Sequence, residues 1–177
     1  MRFALLAPAA LALAAPAAGS ERGWQRASDV GVWSLTAWSI GVPAATGDGA
    51  GALQAAGSIG GAYLVASGLK EAIPSLRPDL SDDRSFPSGH TARAFGTAVS
   101  IFERRGAAEG IPALAVAGFV GLARVEGRKH RWRDILAGAA VGTGTGLLVT
   151  RPLARRRVAL AAWGDGSGAG ASLSAAF

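Results

Sequence analysis

Residues 87–102 read PSGHTARAFGTAVSIF, a Pro-Ser-Gly-His turn followed by an apolar run. Ser88 is a favourable N-cap residue, so we expect a helix to begin beside it with free backbone N–H groups. Such a helix start binds anions, because the N–H groups and the helix dipole both favour negative charge. Gly89 would let the backbone approach a ligand closely. His90 would then lie in the first turn, next to the bound anion.

Cations and a second histidine surround this turn, between Lys70 and Asp134. His130 and Asp134 are four residues apart, so on a helix they would share one face. The carboxylate could bind one ring nitrogen of His130 and leave the other free to attack. Arg77 and Arg124 provide planar, permanent charges that match phosphate oxygens, and Lys70 adds a point charge. The region predicts that a histidine attacks a phosphate group here without a metal, because the cations can stabilise the transfer.

Three spaced motifs in this region occur in a fixed order. Lys70 is separated by six residues from Arg77-Pro78, and the Pro87 to His90 turn follows. Arg124 is then separated by five residues from His130, which is separated by three from Asp134. Together the motifs resemble the signature of the type 2 phosphatidic acid phosphatase (PAP2) superfamily. The resemblance covers roughly residues 57 to 146.

The resemblance implies a phosphomonoester or pyrophosphate hydrolase that needs no metal or other cofactor. By matching position, it makes His130 the nucleophile, Asp134 its partner and His90 the general acid for the leaving group. It also implies a set of residues that hold the phosphate: Lys70, Arg77, Ser88, Gly89 and Arg124.

The chain departs from the family pattern at two places. The third motif normally opens with Ser before its Arg, and Ala123 stands there instead, which removes one hydrogen-bond donor but no catalytic group. The link between Pro78 and Pro87 has only eight residues, which is short for the family and predicts a small, uncovered mouth.

Composition narrows the class of protein further. A length of 177 residues predicts one domain, and the absence of cysteine leaves the redox compartment undecided. The net charge of +6 could indicate nucleic-acid binding. The arginines lie at the ends of apolar segments, however, and nothing is patterned to read bases. Anionic lipid and bound phosphate explain the charge better than nucleic acid does.

The chain divides into three segments. Residues 1–17 resemble a signal peptide that ends in Ala15-Pro16-Ala17, and an uncleaved first membrane helix is the alternative. Residues 21–157 form the predicted helical phosphatase domain, which opens with a polar connector over residues 21–28. Residues 158–177 are glycine-rich and predict a short hairpin or a disordered tail. The domain contains five apolar stretches: Val30 to Thr46, Ala50 to Leu69, Thr91 to Phe102, Ile111 to Ala123 and Ile135 to Thr150.

These stretches predict an all-α fold, an antiparallel bundle of about five or six helices with the active site at one end. Only Ala50 to Leu69 comfortably has the ~20 residues that cross a bilayer. Small residues in 57–62 and 138–144 would let helices approach closely in a membrane, and a soluble bundle is the alternative. The arginines at 104–105 and 151–157 would mark the cytoplasmic side, which makes the site face the periplasm across a bacterial inner membrane.

We therefore expect a phosphatase of the cell envelope that acts on a lipid phosphate or pyrophosphate through a phosphohistidine. His90, with an ordinary pKa near ~6.5, would be cationic at mildly acidic pH and would protonate the leaving oxygen. A soluble periplasmic acid phosphatase of broad specificity is one alternative. A non-catalytic membrane protein that binds anionic lipid is another.

Overall fold

The computed structural model describes residues 19–152, 157–165 and 168–176, so the predicted targeting segment lies outside the described residues. Each predicted apolar stretch coincides with one helix, and the predicted helical bundle is confirmed. The described elements are α1 Glu21–Ala45, α2 Gly49–Ala72, α3 Gly89–Arg105, α4 Ala107–Glu126, α5 Trp132–Val149, β1 Arg157–Asp165 and β2 Gly168–Ala176.

The predicted polar connector over residues 21–28 is wrong, because these residues form the first two turns of α1. Ser20 caps the helix by accepting a hydrogen bond from the Gly23 N–H at 3.0 Å. Glu21 in the first turn favours the positive end of the helix dipole. Ala27 and Ser28 are buried, so this polar-looking segment has an inward face. The early start of α1 brings residues 28 and 29 into the bundle.

Helix α3 lies at the centre of the bundle and contacts each of the other four helices. Its buried face is built from small side chains, which allows neighbouring helices to approach on several sides. The main hydrophobic core joins α1, α3 and α4 through Val32, Leu35, Ala94, Ala98, Ile101, Ala113, Val116, Ala117 and Val120.

A glycine face on α5 lets that helix lie directly against α3. A Cβ added to Gly138 would lie 2.5 Å from the Ser88 carbonyl oxygen, and one added to Gly142 would lie 2.2 Å from the Ala92 carbonyl oxygen. The predicted close approach of the 138–144 segment is therefore confirmed. It places the first turn of α5 beside the start of α3, where the Ser88 N–H donates to the Asp134 carbonyl oxygen at 2.9 Å.

The helix that could cross a membrane is not the one that the sequence predicted. Among the described helices, only α4 is long and apolar enough to cross a bilayer, with 20 residues, a mean hydropathy of 1.4 and 44% of its apolar window buried. The sequence favoured Ala50 to Leu69 instead, because the apolar stretch from Ile111 to Ala123 reaches the ~20 residues that cross a bilayer only with its flanking turns. The helix does extend over those turns, from Ala107 to Glu126.

The C-terminal segment forms a hairpin, one of the two predicted alternatives. Strands β1 and β2 are antiparallel, with Arg157 opposite Ala176 and Asp165 opposite Gly168. The hairpin follows the bundle in sequence and contributes none of the residues described in the next subsection.

Candidate active site

A cavity of about 220 Å³ lies at the end of the bundle where α2 and α4 end and α3 and α5 begin. Most of the predicted site residues line it, while Ser88 and Asp134 are fully buried behind it. The lining residues are Tyr63, Ala66, Ser67, Lys70, Arg77, Gly89, His90, Arg93, Arg124 and His130.

His130 lies in the loop between α4 and α5, not on a helix with Asp134 as the spacing suggested. The loop is held by the His130 N–H, which donates to the Arg124 carbonyl oxygen at 3.2 Å. The two side chains still meet, because Nδ1 of His130 is 3.8 Å from Oδ2 of Asp134. Nε2 faces the cavity, 3.4 Å from Nη1 of Arg77. A guanidinium can only donate, so Nε2 is the acceptor and the ring proton is on Nδ1.

Ser85 connects this histidine to the carboxylate, and the sequence had not singled it out. Its fully buried hydroxyl donates to Oδ2 of Asp134 at 2.6 Å and lies 3.5 Å from Nδ1 of His130. The same carboxylate oxygen accepts from the Arg131 N–H at 2.9 Å. The aspartate is thus fixed by the protein and supports the protonated side of the imidazole. The available signal was a serine two residues before Pro87, which resembles an ordinary turn residue.

The surroundings of His130 keep it neutral. Burial lowers the pKa of His130 far below its usual value, and the nearby cations of Arg124, Arg77 and Lys70 act in the same direction. A neutral imidazole with its proton on Nδ1 has a free lone pair on Nε2. The nitrogen that faces the cavity can therefore act as a nucleophile at neutral pH.

His90 contacts a carboxylate that the sequence did not predict. Its Nε2 lies 2.9 Å from Oδ1 of Asp29 on α1, and the same oxygen is 3.9 Å from Nη1 of Arg124. With Nε2 engaged in this way, Nδ1 is the nitrogen that can exchange a proton with a ligand. Asp29 directly follows the segment that was mistaken for a connector, which is why sequence analysis missed it.

The expectation that His90 is cationic at mildly acidic pH does not hold for the protein alone. Burial lowers the pKa of His90 to about 4, and the charges of Arg124 and Arg93 add to that shift, while Asp29 opposes it. A phosphate dianion among these cations would raise the pKa again, because an opposite charge nearby stabilises the imidazolium. Protonation of His90 is thereby coupled to anion binding.

Protein acceptors hold the three motif cations in position. Nζ of Lys70 donates to the carbonyl oxygens of Arg84 and Pro87, each at 2.6 Å, and burial lowers the pKa of Lys70 to about 8. Nε of Arg77 pairs with Asp82 at 2.5 Å. Nη1 of Arg124 donates to the Ser28 hydroxyl at 3.2 Å. These contacts aim the cations, and all three side chains line the cavity.

The Pro-Ser-Gly-His turn forms the predicted helix start. Oγ of Ser88 accepts from the Thr91 N–H at 3.4 Å and from the Thr91 hydroxyl at 2.9 Å. This hydroxyl is occupied by the helix cap, and phosphate binding by Ser88 stays a prediction. Gly89 lines the cavity, and a Cβ added to it would lie 3.8 Å from Cε of Lys70, which is an ordinary van der Waals contact.

Three further polar residues of the cavity lie outside the motifs. Tyr63 and Ser67 come from α2 and Arg93 comes from α3. Arg93 follows His90 by three residues, and residues at this spacing share one face of a helix. That spacing was the one signal for it in the sequence.

Comparisons with known proteins identify a family and a fold. The family model of the PAP2 superfamily matches residues 51–157. A lipid A 1-phosphatase from Porphyromonas gingivalis is 38% identical over 76 residues, which is 41% of this chain and 17% of that protein. The crystal structure of LpxE from Aquifex aeolicus has a similar fold, with a TM-score of 0.52 and 23% identity over 55% of this chain and 66% of that one. The chain thus spans less than a fifth of the length of the curated relative that it matches.

Proposed function

Because this chain belongs to the PAP2 superfamily, we propose that it is a metal-independent phosphatase that hydrolyses a lipid phosphate or pyrophosphate through a phosphohistidine. The observation that carries the proposal is the environment of His130. Its Nε2 faces the cavity beside Arg77, while its protonated Nδ1 is backed by Ser85 and Asp134. A nucleophile, a group that orients it and adjacent cations are the parts that phosphoryl transfer to a histidine requires.

In the first step, the phosphate binds among Arg77, Arg124 and the start of α3, with its charge balanced by the guanidinium groups. Nε2 of His130 forms a bond to phosphorus while the bond from phosphorus to the leaving oxygen breaks. His90, protonated when the anion is bound, gives the proton on Nδ1 to that oxygen. The positive charge that forms on the His130 ring is stabilised by the buried carboxylate of Asp134.

In the second step, water attacks the phosphorus of the phosphohistidine. His90, now neutral, takes a proton from this water, and the bond between phosphorus and Nε2 breaks. Inorganic phosphate leaves and both histidines return to their starting states. Asp29 serves both steps, because it holds Nε2 of His90 and keeps Nδ1 available.

Exposed apolar side chains near the cavity support a lipid substrate. The loops and helix starts at this end of the bundle expose them, and they could enter the surface of a bilayer. The name of the P. gingivalis relative, a lipid A 1-phosphatase, points to the same class of substrate. The exposed residues are Ile73, Leu76, Leu80, Trp132 and Leu136.

We propose that the bundle resides in the bacterial inner membrane with this end toward the periplasm. Apolar side chains also cover the outside of the helices, with Leu53, Leu64 and Leu148 each at least 69% exposed. Arg104, Arg105 and Arg151 lie at the opposite end of the helices, where the cytoplasmic side would be. The competing location is the soluble periplasm; among the described helices, α4 is the one that is long and apolar enough to cross a bilayer.

The test is phosphate release by the purified protein in EDTA, from an aryl phosphate and from lipid phosphates and pyrophosphates. We expect release that vanadate inhibits and that His130→Ala abolishes while its circular dichroism stays that of the wild type. Acid-labile, base-stable phosphate on the wild-type protein would identify the intermediate. Substantial turnover by His130→Ala would refute the mechanism. Binding of anionic vesicles without any turnover would favour the non-catalytic alternative.

A further inference from the structure

We propose that Arg93 forms a second anion subsite on the leaving-group side of the cavity, so that the preferred substrate has a leaving group that is itself an anion. The simplest such substrate is a pyrophosphate monoester, whose leaving group is a phosphate. This inference rests on the proposed phosphatase function and specifies its substrate class. It concerns a residue that none of the three motifs contains.

The position of Arg93 follows from its helix. It lies three residues after His90 on α3, which displaces it by about 4.5 Å along the helix axis on the same face. Both side chains line the same cavity. His90 is the group that protonates the leaving oxygen in the proposed mechanism. The next cation along this face therefore lies beside the leaving group.

Hydroxyl groups from α2 line the same cavity as Arg93. Ser67 and Tyr63 precede Lys70 by three and seven residues on α2 and line the cavity with it. Helix α2 ends at the site and α3 begins there, so residues before Lys70 and residues after His90 lie on the same side of the site. Hydroxyl donors and a guanidinium thus line the same cavity from α2 and α3.

The strongest observation is the lack of an acceptor for Arg93. Each of the other three cations that line the cavity has at least one protein acceptor, although Nε of Arg124 has none among the described residues: Pro87 for Lys70, Asp82 for Arg77 and Ser28 for Nη1 of Arg124. The guanidinium of Arg93 has no hydrogen bond or ion pair with any residue that the structure describes. The residue is half-buried and lines the cavity, and a guanidinium can only donate, so an anion in the cavity is the partner that matches its donors. A ligand anion would satisfy it.

A cation at the position of Arg93 would stabilise an anionic leaving group. In a pyrophosphate monoester, Nε2 of His130 would form its bond to the terminal phosphorus while the bond to the bridging oxygen breaks. The electron pair of that bond stays on the bridging oxygen, and the leaving group is a monophosphate ester that carries one more negative charge. The proton from Nδ1 of His90 and the guanidinium of Arg93 both offset this charge as it develops. A neutral alcohol leaving group has no other charge for Arg93 to bind.

The experiment compares kcat/KM for a short alkyl phosphate, the matching alkyl pyrophosphate, and an alkyl phosphate with a carboxylate beside the ester oxygen. We expect Arg93→Gln to lower kcat/KM for the pyrophosphate roughly 10- to 100-fold more than for the plain phosphate, the range expected for losing a hydrogen bond to a charged group. Arg93→Lys should restore part of the difference. If Arg93→Gln lowers kcat/KM equally for the carboxylate substrate and the pyrophosphate, the subsite binds any anionic leaving group. If it lowers kcat/KM for the pyrophosphate alone, the subsite is specific for phosphate.

Arg128→Gln is the matched control, because it removes the same charge at the same end of the bundle from a side chain that is 62% exposed. It should leave the ratio between substrates unchanged. Equal loss on all substrates in Arg93→Gln would overturn the subsite. If the wild type hydrolyses none of them, the proposed function fails, and calorimetry with an alkyl methylenediphosphonate and an alkyl phosphonate still tests the subsite. The diphosphonate should then bind more tightly to the wild type than to Arg93→Gln, and equal binding would overturn the proposal.

Discussion

Asp29 and His90 are 61 residues apart in the chain, yet Oδ1 of the aspartate lies 2.9 Å from Nε2 of the histidine. The contact joins α1 to the first turn of α3 and engages Nε2 of the imidazole, which leaves Nδ1 available. It also opposes the effects of burial and of neighbouring arginines on the pKa of His90. The polar start of α1 thus supports the group that we expect to protonate the leaving oxygen.

Replacing this aspartate should change the pH dependence of the enzyme. Asp29→Asn removes the carboxylate that raises the pKa of His90, so the pKa should fall further. The acid must be protonated, and activity is lost as pH rises through its pKa in the substrate complex. The basic limb of the profile of kcat against pH should therefore move down by about one unit, with kcat at neutral pH roughly 10-fold lower.

The matched control is Glu126→Gln, which removes an exposed carboxylate at the end of α4. Its pH profile should coincide with that of the wild type. A profile for Asp29→Asn that also coincides with the wild type would show that His90 does not depend on this contact.

Removing the Ser85 hydroxyl should slow phosphorylation of His130. Ser85→Ala takes a 2.6 Å hydrogen bond from the buried Asp134 carboxylate, whose Oδ1 has no hydrogen-bond partner among the described residues. We expect kcat to fall roughly 10- to 100-fold, in line with the loss of a hydrogen bond to a charged group. KM should change little, because Ser85 does not line the cavity. Rapid-quench measurement of phosphohistidine formation should show the same slowing, and Ser85→Thr should recover part of the rate.

Ser39→Ala separates this positioning effect from a general loss of stability. Ser39 is also a buried serine, and its hydroxyl donates to the Thr36 carbonyl oxygen at 3.1 Å within α1. This variant should keep the wild-type rate of phosphorylation. Wild-type kcat in Ser85→Ala would mean that the direct 3.8 Å approach of Asp134 is sufficient for His130.

The motifs predicted the residues that meet at the site, because their spacing places them at ends of consecutive antiparallel helices. Contacts from outside the motifs were not predictable in the same way. Asp29 contacts His90 across the fold, and local spacing does not predict such a contact. The residues before Asp29 are polar like a connector, although Ser20 caps a helix there. The lowered pKa of His90 also depends on burial and on Arg124, neither of which can be read from local spacing.

The approach of α5 to α3 should be sensitive to a single methyl group. A Cβ on Gly142 would lie 2.2 Å from the Ala92 carbonyl oxygen and 2.7 Å from the Gly96 nitrogen. Gly142→Ala must push the two helices apart, and overpacking of this kind costs about 1–3 kcal/mol. A Cβ on Gly144 meets nothing within 4 Å, so Gly144→Ala should be neutral or stabilising by up to about 1 kcal/mol. Thermal unfolding of both variants tests this, and equal melting temperatures would contradict the close packing.

Asp48, at the end of the bundle away from the cavity, should make the stability of the protein depend on pH. Asp48 caps α2 by accepting from the Gly51 N–H at 2.9 Å, and Nε of Arg104 donates to its other oxygen at 2.7 Å. The hydrogen bond from Arg104 is the main cause that lowers the pKa of Asp48. The pKa of Asp48 is therefore lower in the folded protein than in the unfolded chain. Its contribution to stability is fully present when the pH is above the unfolded-state pKa, and it is lost as the pH falls through the folded-state pKa.

Asp48→Asn tests this response, because asparagine caps helices as well as aspartate does but carries no charge. At pH 7 we expect the free energy of unfolding to fall by about 1.5–3 kcal/mol, the contribution of a hydrogen bond between charged groups. The difference from the wild type should shrink as the pH is lowered below about 4, where the unfolded carboxylate becomes protonated.

Glu71→Gln is the control, because its pair with Arg84 is exposed on both sides and should contribute less than about 1 kcal/mol. Urea unfolding at pH 7, 5 and 3 measures all three proteins, and a constant difference for Asp48→Asn across this range would show that the charge of Asp48 does not stabilise the fold.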